Sequence, residues 1–458
     1  MVLGRRKKRA DALSKMTGPP PPLQIIHPPN APASKRARER SRSPLSRVFP
    51  SPSSIRTRSE ERLPLDPPPL TPTPMMSLTP TPIPTPTPSM NSTLLPLFLG
   101  QSRTEIQEKF QELEWLQRER LHQGSGTEEI GVRWHRESDD EVKLRNRYLN
   151  VQPWKHHRIH LQVPADRCDY INASPVMLAD SRTKAERRFI ATQGPKMEHF
   201  NHFWRMIWHE TGATAVIVML TQTMEAGREK CAQYFPEHLD EPTLAVPDRD
   251  EFGDGFAPSV TLLEVTHDEA SRSCARKLQL VVGEESKIVW HLLFTGWPDF
   301  GVPEGSDREA LLELIKLSNE KNVERTNPRV VHCSAGVGRS GTFIALDHLL
   351  AELEQGVFDE LPFHSDDDAV FDTVNSLREQ RMTMVQGDGQ LHFIYQMLRL
   401  KWVERQERKG DVGLAMSLDS RHASPSPSTS NLVPPRPDLP VPLVEVPPTR
   451  PPTGTSDA

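Results

Sequence analysis

The chain has 458 residues, room for one large domain or two or three small ones, a formal net charge of −5 and four cysteines. Four scattered cysteines exclude a disulfide framework, and no apolar run approaches the ~18 residues that a membrane-spanning helix needs. No His/Cys spacing resembles a metal site, so neither metal nor cofactor is expected.

Proline divides the chain. Residues 1–98 hold 22, residues 408–458 hold 11, and the stretch between holds only 12. Regular apolar periodicity occurs only in that middle stretch. Residues 1–62 carry 15 Lys+Arg against 4 Asp+Glu, a basic tail on an acidic body, which points to a localisation or docking element rather than to nucleic-acid binding. The chain reads as three parts: a disordered basic and Pro/Thr-rich region over 1–101, a folded domain over 102–407, and a disordered Ser/Pro-rich tail over 408–458. The opening MVLGRRKKR lacks an apolar signal core, and Val2 stands where a myristoylation site needs glycine. A cytoplasmic location is expected, with nuclear entry through the basic runs as an open alternative.

The folded part is predicted to open on a helix capped by Thr104 and Gln107, with Ile106, Phe110, Leu113 and Leu116 at helical spacing. TAVIVML at 214–220 reads as a central strand buried on both faces, and 287–294 and 329–331 read similarly. Helices are predicted over 308–321, 340–354, 369–380 and 390–405. Mixed strands and helices give an α/β or α+β domain. Cys168, Cys231 and Cys274 are expected to pack as small hydrophobes, and most of the 17 histidines, His156 and His157 among them, to lie on the surface.

The chemistry concentrates in HCSAGVGRSG at 332–341. Cys333 and Arg339 bracket the small residues Ser334, Ala335, Gly336, Val337 and Gly338, between a strand-like and a helix-like run. Such a loop turns successive backbone N–H groups inward as an anion nest, with the helix N-terminus adding positive potential. Arg339 supplies a bidentate fork for phosphate oxygens. The same positive environment lowers a thiol pKa, so Cys333 reads as a nucleophile aimed at the phosphate it helps to bind. Asp299, in the Gly/Pro-bounded run GWPDFGVPE, can protonate the leaving oxygen and later act as base for water. Gln386 and Gln390 in MVQGDGQ can hold that water.

These motifs, with RNRY at 145–148, DYINAS at 169–174, FIATQGP at 189–195 and EAGREKCAQYFP at 225–236, resemble those of the classical, tyrosine-specific, Cys-dependent protein phosphatases of the non-receptor kind. The resemblance covers most of 102–407. It implies a highly twisted mixed sheet of eight or more strands flanked by helices, with the phosphate loop at its centre. It also implies roles: Cys333 nucleophile, Arg339 clamp, Ser340 the hydroxyl that helps the cysteine leave, His332 tuning the thiolate, Asp299 general acid and Gln386 with Gln390 positioning water. Tyr148 would stack on the substrate ring and set pocket depth, and Glu225 and Lys230 would belong to a loop whose lysine approaches the lid aspartate. Leu149 and Asn150 replace the usual arginine and aspartate, which leaves a neutral group to anchor a peptide backbone. Thr383 stands where some members have glycine, which narrows any second pocket.

Two other functions remain open from sequence: a non-catalytic phosphotyrosine-binding scaffold on the same fold, and a broader phosphatase acting on phosphoinositides or phosphoserine. In the tail, IRTRSEERLPLD at 55–66 places Arg56 and Arg58 ahead of Leu63 and Leu65, which resembles a motif by which phosphatases dock MAP kinases. The expected partners are phosphotyrosine proteins, with a MAP kinase as the candidate docked through these four residues.

Overall fold

The computed structural model describes residues 95–126, 133–244, 246, 250–298, 301–360 and 367–421. Arg56, Arg58, Leu63, Leu65 and Asp299 lie outside the described residues. Helix α1, Arg103–Gln123, starts two residues earlier than the sequence suggests, because Ser102 is the better cap. Its backbone is extended (φ −68°, ψ 165°), its hydroxyl accepts from the Glu105 N–H at 3.3 Å, and Glu105 Oε2 accepts from the Ser102 N–H at 2.7 Å. Ile106, Phe110 and Leu113 are buried as predicted, whereas Leu116 is only half-buried.

Next come α2 (Asp140–Arg145), β1 (Ala173–Ala179), β2 (Glu186–Thr192), α3 (Phe200–Glu210) and β3 (Thr214–Met219). A two-residue hairpin, β4 (Met224–Glu225) with β5 (Arg228–Glu229), precedes β6 (Thr243–Leu244), β7 (Ser259–Asp268), β8 (Ser273–Val282) and β9 (Glu285–Phe294). The last elements are α4 (Ser306–Lys321), β10 (Arg329–His332), α5 (Gly338–Glu354), α6 (Ala369–Gln380) and α7 (Asp388–Arg421). The predicted strands and helices all appear. The last helix runs on to Arg421, through Gly410 and Gly413 and with no proline before Pro425.

One eight-stranded mixed sheet has the order β1-β2-β10-β3-β9-β8-β7-β6. β2, β10, β3 and β9 run parallel, and the strands outside them pair antiparallel. β10 therefore lies between two parallel neighbours, and all four of its residues are buried. That central position explains why Val330 and Val331 are apolar on both faces, and why the flanking Arg329 and His332, also buried, are each bonded to a buried partner, Asp347 and Tyr234. The period-2 alternation of β3 splits the core. Val216 and Val218 face one layer with α1 and α4–α7; Ala215, Ile217 and Met219 face α3 on the other.

The chain divides into two units, Met1–Gln406, which contains the sheet, and Glu407–Ala458, of which helix up to Arg421 is described. Among the described residues no helix is long and apolar enough to cross a membrane. Most of the described histidines are exposed or half-buried as expected, His156 exposed and His157 half-buried with Nε2 3.0 Å from the Pro175 carbonyl, but His135, His202, His291, His332 and His348 are buried. Cys231 and Cys274 are buried and Cys168 is partly so.

Asp368, 4% exposed, joins three helices. It caps α6 by accepting from the Val370 and Phe371 N–H groups at 3.1 and 3.0 Å, and accepts from Gln101 ahead of α1 at 3.0 Å and from the Tyr395 hydroxyl of α7 at 2.6 Å. Lys109 of α1 completes the set at 2.9 Å. Asp368→Ala is predicted to cost about 2–4 kcal/mol, the loss of a cap plus the stranding of the buried Tyr395 hydroxyl and the half-buried Gln101 amide. Urea unfolding checks this, and a loss near zero would show that the junction does not stabilise the domain.

Candidate active site

β10 delivers its chain into residues 333–337, and α5 begins at Gly338. Each carbonyl of that turn is engaged on the outside. The Cys333 carbonyl meets His332 Nδ1 at 3.2 Å, and the Ser334 carbonyl accepts from the Gly194 N–H at 2.9 Å. The Ala335 and Gly336 carbonyls accept from the buried Arg381 guanidinium at 3.2 and 2.9 Å. The Val337 carbonyl accepts from the Gly341 and Val385 N–H groups at 2.9 and 3.1 Å. A planar trans peptide points its C=O and the next N–H in opposite directions. Holding five carbonyls outward thus turns the N–H groups of 334–338 inward, around one centre capped by the N-terminus of α5. Gly336 is required here: its φ is +71°, and a Cβ would lie 2.0 Å from the Thr192 carbonyl oxygen.

Cys333 is 5% exposed and its sulfur accepts from the Gly336 N–H at 3.3 Å. Burial pushes the thiol up, but the Ser340 hydroxyl, the Arg339 charge and the Ser340 and Gly336 N–H groups together outweigh it and hold the thiol below its ordinary value. The Ser340 side chain is fully buried in the first turn of α5, and its hydroxyl is among the groups that favour the thiolate.

Arg339 is braced by Glu225 of β4 in a bidentate pair, Nη1–Oε1 at 2.6 Å and Nη2–Oε2 at 2.9 Å, and Nη1 also donates to the Leu220 carbonyl at 3.0 Å. Nη2 donates to the Pro298 carbonyl at 3.2 Å. That contact ties the arginine to the residue before Asp299. Across the undescribed Asp299 and Phe300, Trp297 Nε1 donates to the Gly301 carbonyl at 3.2 Å and closes the base of the loop.

The Tyr148 hydroxyl donates to Ser334 Oγ at 2.7 Å, and Ser334 Oγ donates to the Lys230 carbonyl at 2.8 Å. Tyr148, the phosphate loop and Lys230 are thereby joined. Gln390 accepts from the Gln386 and Gly387 N–H groups at 3.0 and 3.2 Å. A methyl group on Gly338 would lie 3.0 Å from Gln390 Nε2 and 3.5 Å from Gln386 Cβ, so both glutamines face the loop. Asn150 sits half-buried in the turn after Tyr148.

His332 points away from the sulfur. Its Nε2 lies 2.7 Å from the Tyr234 hydroxyl, which is itself 3.0 Å from His291 Nε2. Burial lowers His332 to about 4, so the imidazole is neutral near pH 7 and acts on Cys333 through the backbone carbonyl.

Sequence reasoning missed four residues. Arg381 is wholly buried, and besides the two loop carbonyls it donates to Asn172 Oδ1 at 2.7 Å. Arg378 donates to the Met384 and Val385 carbonyls, both at 2.9 Å, and pairs with Glu114 of α1 at 2.9 Å. It thereby steadies Thr383 and Val385, β-branched residues at φ +61° and +56°. Tyr234 and the bracing role of Glu225 are the others. An arginine pair just ahead of MVQ was the available signal. Among the described residues no three His, Cys, Asp or Glu side chains are grouped to hold a metal. The arrangement can bind a tetrahedral oxyanion and present a thiolate to it.

Two outcomes follow. Arg381→Lys is predicted to lower kcat/KM on an aryl phosphate by about 10²-fold, because a single ammonium cannot hold both carbonyls and the loop shifts. Wild-type activity would show the loop to be self-supporting. Alkylation of Cys333 by iodoacetate is predicted to titrate below the ~8.5 of a free thiol, and Ser340→Ala should raise that midpoint. An unmoved midpoint would remove Ser340 from the account.

Comparison with known proteins places this geometry. The protein-tyrosine phosphatase family model matches residues 142–399. Tyrosine-protein phosphatase non-receptor type 2 of Rattus norvegicus is 38% identical over 258 residues, 56% of this chain and 55% of that protein. Phosphatidylinositol phosphatase PTPRQ of the same species is 34% identical over 299 residues, 65% of this chain and 11% of that protein. A solved structure of PTPN18, concerned with its fingerprint on distinct HER2 tyrosine phosphorylation sites, superposes with a TM-score of 0.54 at 25% identity, over 67% of this chain and 98% of that one. The chain spans about a tenth to a half of the length of these two curated relatives. By motif, fold and site, the chain belongs to the protein-tyrosine phosphatase family.

Proposed function

We propose that the protein is an active phosphatase that hydrolyses phosphotyrosine on proteins through a phosphocysteine intermediate. The observation that carries this is the loop of inward N–H groups with Cys333 at its floor and Arg339 fixed at its rim. The phosphoryl group binds in that nest, and the Cys333 thiolate attacks phosphorus as the P–O bond to the phenol breaks. Asp299 gives the leaving oxygen its proton. Gln386 and Gln390 then hold a water whose proton returns to Asp299 as the water attacks phosphorus. The S–P bond breaks, phosphate leaves, and Ser340 supports the departing thiolate. Tyr148 supplies a wall of the pocket, a depth that suits phosphotyrosine better than the shorter phosphoserine. The presence of every chemical participant disfavours a non-catalytic scaffold.

Cys333→Ser is predicted to abolish turnover while retaining phosphate binding, and Asp299→Ala to slow the first step by about 10²–10⁴-fold. Turnover by Cys333→Ser at the wild-type rate would reject the mechanism. Matched phosphotyrosine, phosphoserine and phosphoinositide substrates should show a strong preference for the first. Equal rates would favour the broader reading that the PTPRQ likeness suggests.

The finer proposal is that Arg56, Arg58, Leu63 and Leu65 dock a MAP kinase, whose phosphotyrosine is then the substrate. Its support is the basic cluster followed by Leu-x-Leu, with Thr71, Thr79 and Thr85 each before proline. Phosphorylation there would place negative charge near the arginines and weaken docking. Leu63→Ala with Leu65→Ala should weaken kinase binding roughly tenfold or more. Equal binding, or none by the wild type, would reject it. A cytoplasmic and partly nuclear location goes with this proposal.

A further inference from the structure

Behind the catalytic loop, three polar side chains without any exposed surface meet: Tyr234, His291 of β9 and His332 of β10. Val289, on the same face of β9 as His291, packs with Tyr234 in the α3 layer. His291 is thus a polar residue in the apolar run of a strand, with its ring centroid 4.1 Å from that of Phe235.

The order of protons along these three side chains follows from the one group that cannot donate. The Cys333 carbonyl lies 3.2 Å from His332 Nδ1 and has no hydrogen to give, so Nδ1 carries the proton. Neutral His332 then has a lone pair on Nε2, and the Tyr234 hydroxyl, 2.7 Å away, donates to it. The phenol has a single hydrogen, so its oxygen accepts from His291 Nε2–H at 3.0 Å. That leaves His291 Nδ1 bare, and this buried atom has no hydrogen-bond partner among the described residues. The other tautomer would bury an unsatisfied N–H there and set two lone pairs against each other at Tyr234. Arg276, opposite His291 in the β8–β9 ladder, and Arg147 near His332 each oppose a second proton on the ring beside them. Cys231 beside Tyr234 is a thiol that burial pushes up, and among the described residues no carboxylate is bonded to either imidazole.

We infer that Tyr234 and His291 are positioning residues for Cys333. With His332 they form a one-way chain of donors that ends on the Cys333 carbonyl. Each donor polarises the next, which strengthens the last bond. The chain draws negative charge off the carbonyl adjoining the thiolate and holds that peptide outward, which favours the ionised sulfur. Its role rests on Cys333 being the nucleophile, but the proton order is measurable without turnover.

Nitrogen-15 NMR of the full chain, labelled at histidine, reads that order. His332 is expected as the Nδ1–H tautomer and His291 as the Nε2–H tautomer, with His291→Gln identifying the second signal. The reverse tautomer on either ring, or an imidazolium at pH 7, overturns the inference even where a variant fails to fold. Alkylation by iodoacetate reads the consequence. Tyr234→Phe should raise the midpoint of Cys333 by about half a pH unit and lower kcat on an aryl phosphate roughly tenfold, with KM little changed. His291→Leu should do part of this, and His291→Gln, whose amide N–H stands in for Nε2–H, should restore it. Adding His291→Leu to Tyr234→Phe should cost nothing further, because the chain is already cut. Unmoved midpoints in Tyr234→Phe and His291→Leu, losses that simply add, or a glutamine no better than leucine overturns the inference. Shifted midpoints in a protein without turnover would keep the chain and reject the phosphatase activity instead.

Discussion

Outward anchoring of the carbonyls after β10 is the constraint on which the site depends. A run of N–H groups does not face one centre unaided, because those dipoles repel and the backbone prefers to scatter them. Here the repulsion is countered from behind. Gly194, the buried Arg381, the turn into α5 and the segment around Val385 each hold a carbonyl in place. An anion nest is thus fixed before any anion arrives, which is the preorganisation that makes electrostatic catalysis effective. The central place of β10 follows from the same need, since a strand between two parallel neighbours cannot shift its register without breaking both ladders.

Electrostatics then divides the labour. Burial opposes a thiolate at Cys333, and the loop overcomes it with hydroxyl, backbone and guanidinium. Arg339 would be a poor clamp if it were floppy; Glu225 fixes its plane with both carboxylate oxygens. That brace takes up some of the positive charge, an arrangement that favours geometry over raw potential. Arg381 remains charged near pH 7 although burial lowers it to about 10, and its positive end lies beneath the loop carbonyls. His332, neutral and bonded to Tyr234, works as a strut.

Much of this was legible in the sequence, for physical reasons. The Cys-x5-Arg loop, the apolar 214–220 run and the helices at 340–354 and 369–380 announce themselves because local sequence and tertiary burial demand the same residues. The helix-start error at Thr104 arose because Ser102 and Thr104 both begin plausible capping boxes, and only the backbone angles choose between them. Arg378, Arg381 and Tyr234 were illegible for a different reason. A buried arginine looks like a surface one in sequence, and its partners are carbonyls, which leave no residue signature. The five buried histidines are hidden in the sequence for the same reason: burial with a hydrogen-bond partner, as for His332 and His202, is a property of packing. Asp299 and the docking residues lie outside the described residues, so their placement rests on the sequence.

The central claim is that Cys333 becomes covalently phosphorylated in turnover. Rapid acid quench of Gln386→Ala protein with a phosphotyrosine peptide, followed by peptide-level mass spectrometry, tests it most directly, because impaired hydrolysis should let the intermediate accumulate. The account predicts one phosphoryl group on Cys333, absent from Cys333→Ser. Steady release of phosphate with no adduct on Cys333, or an adduct on another residue, would contradict it.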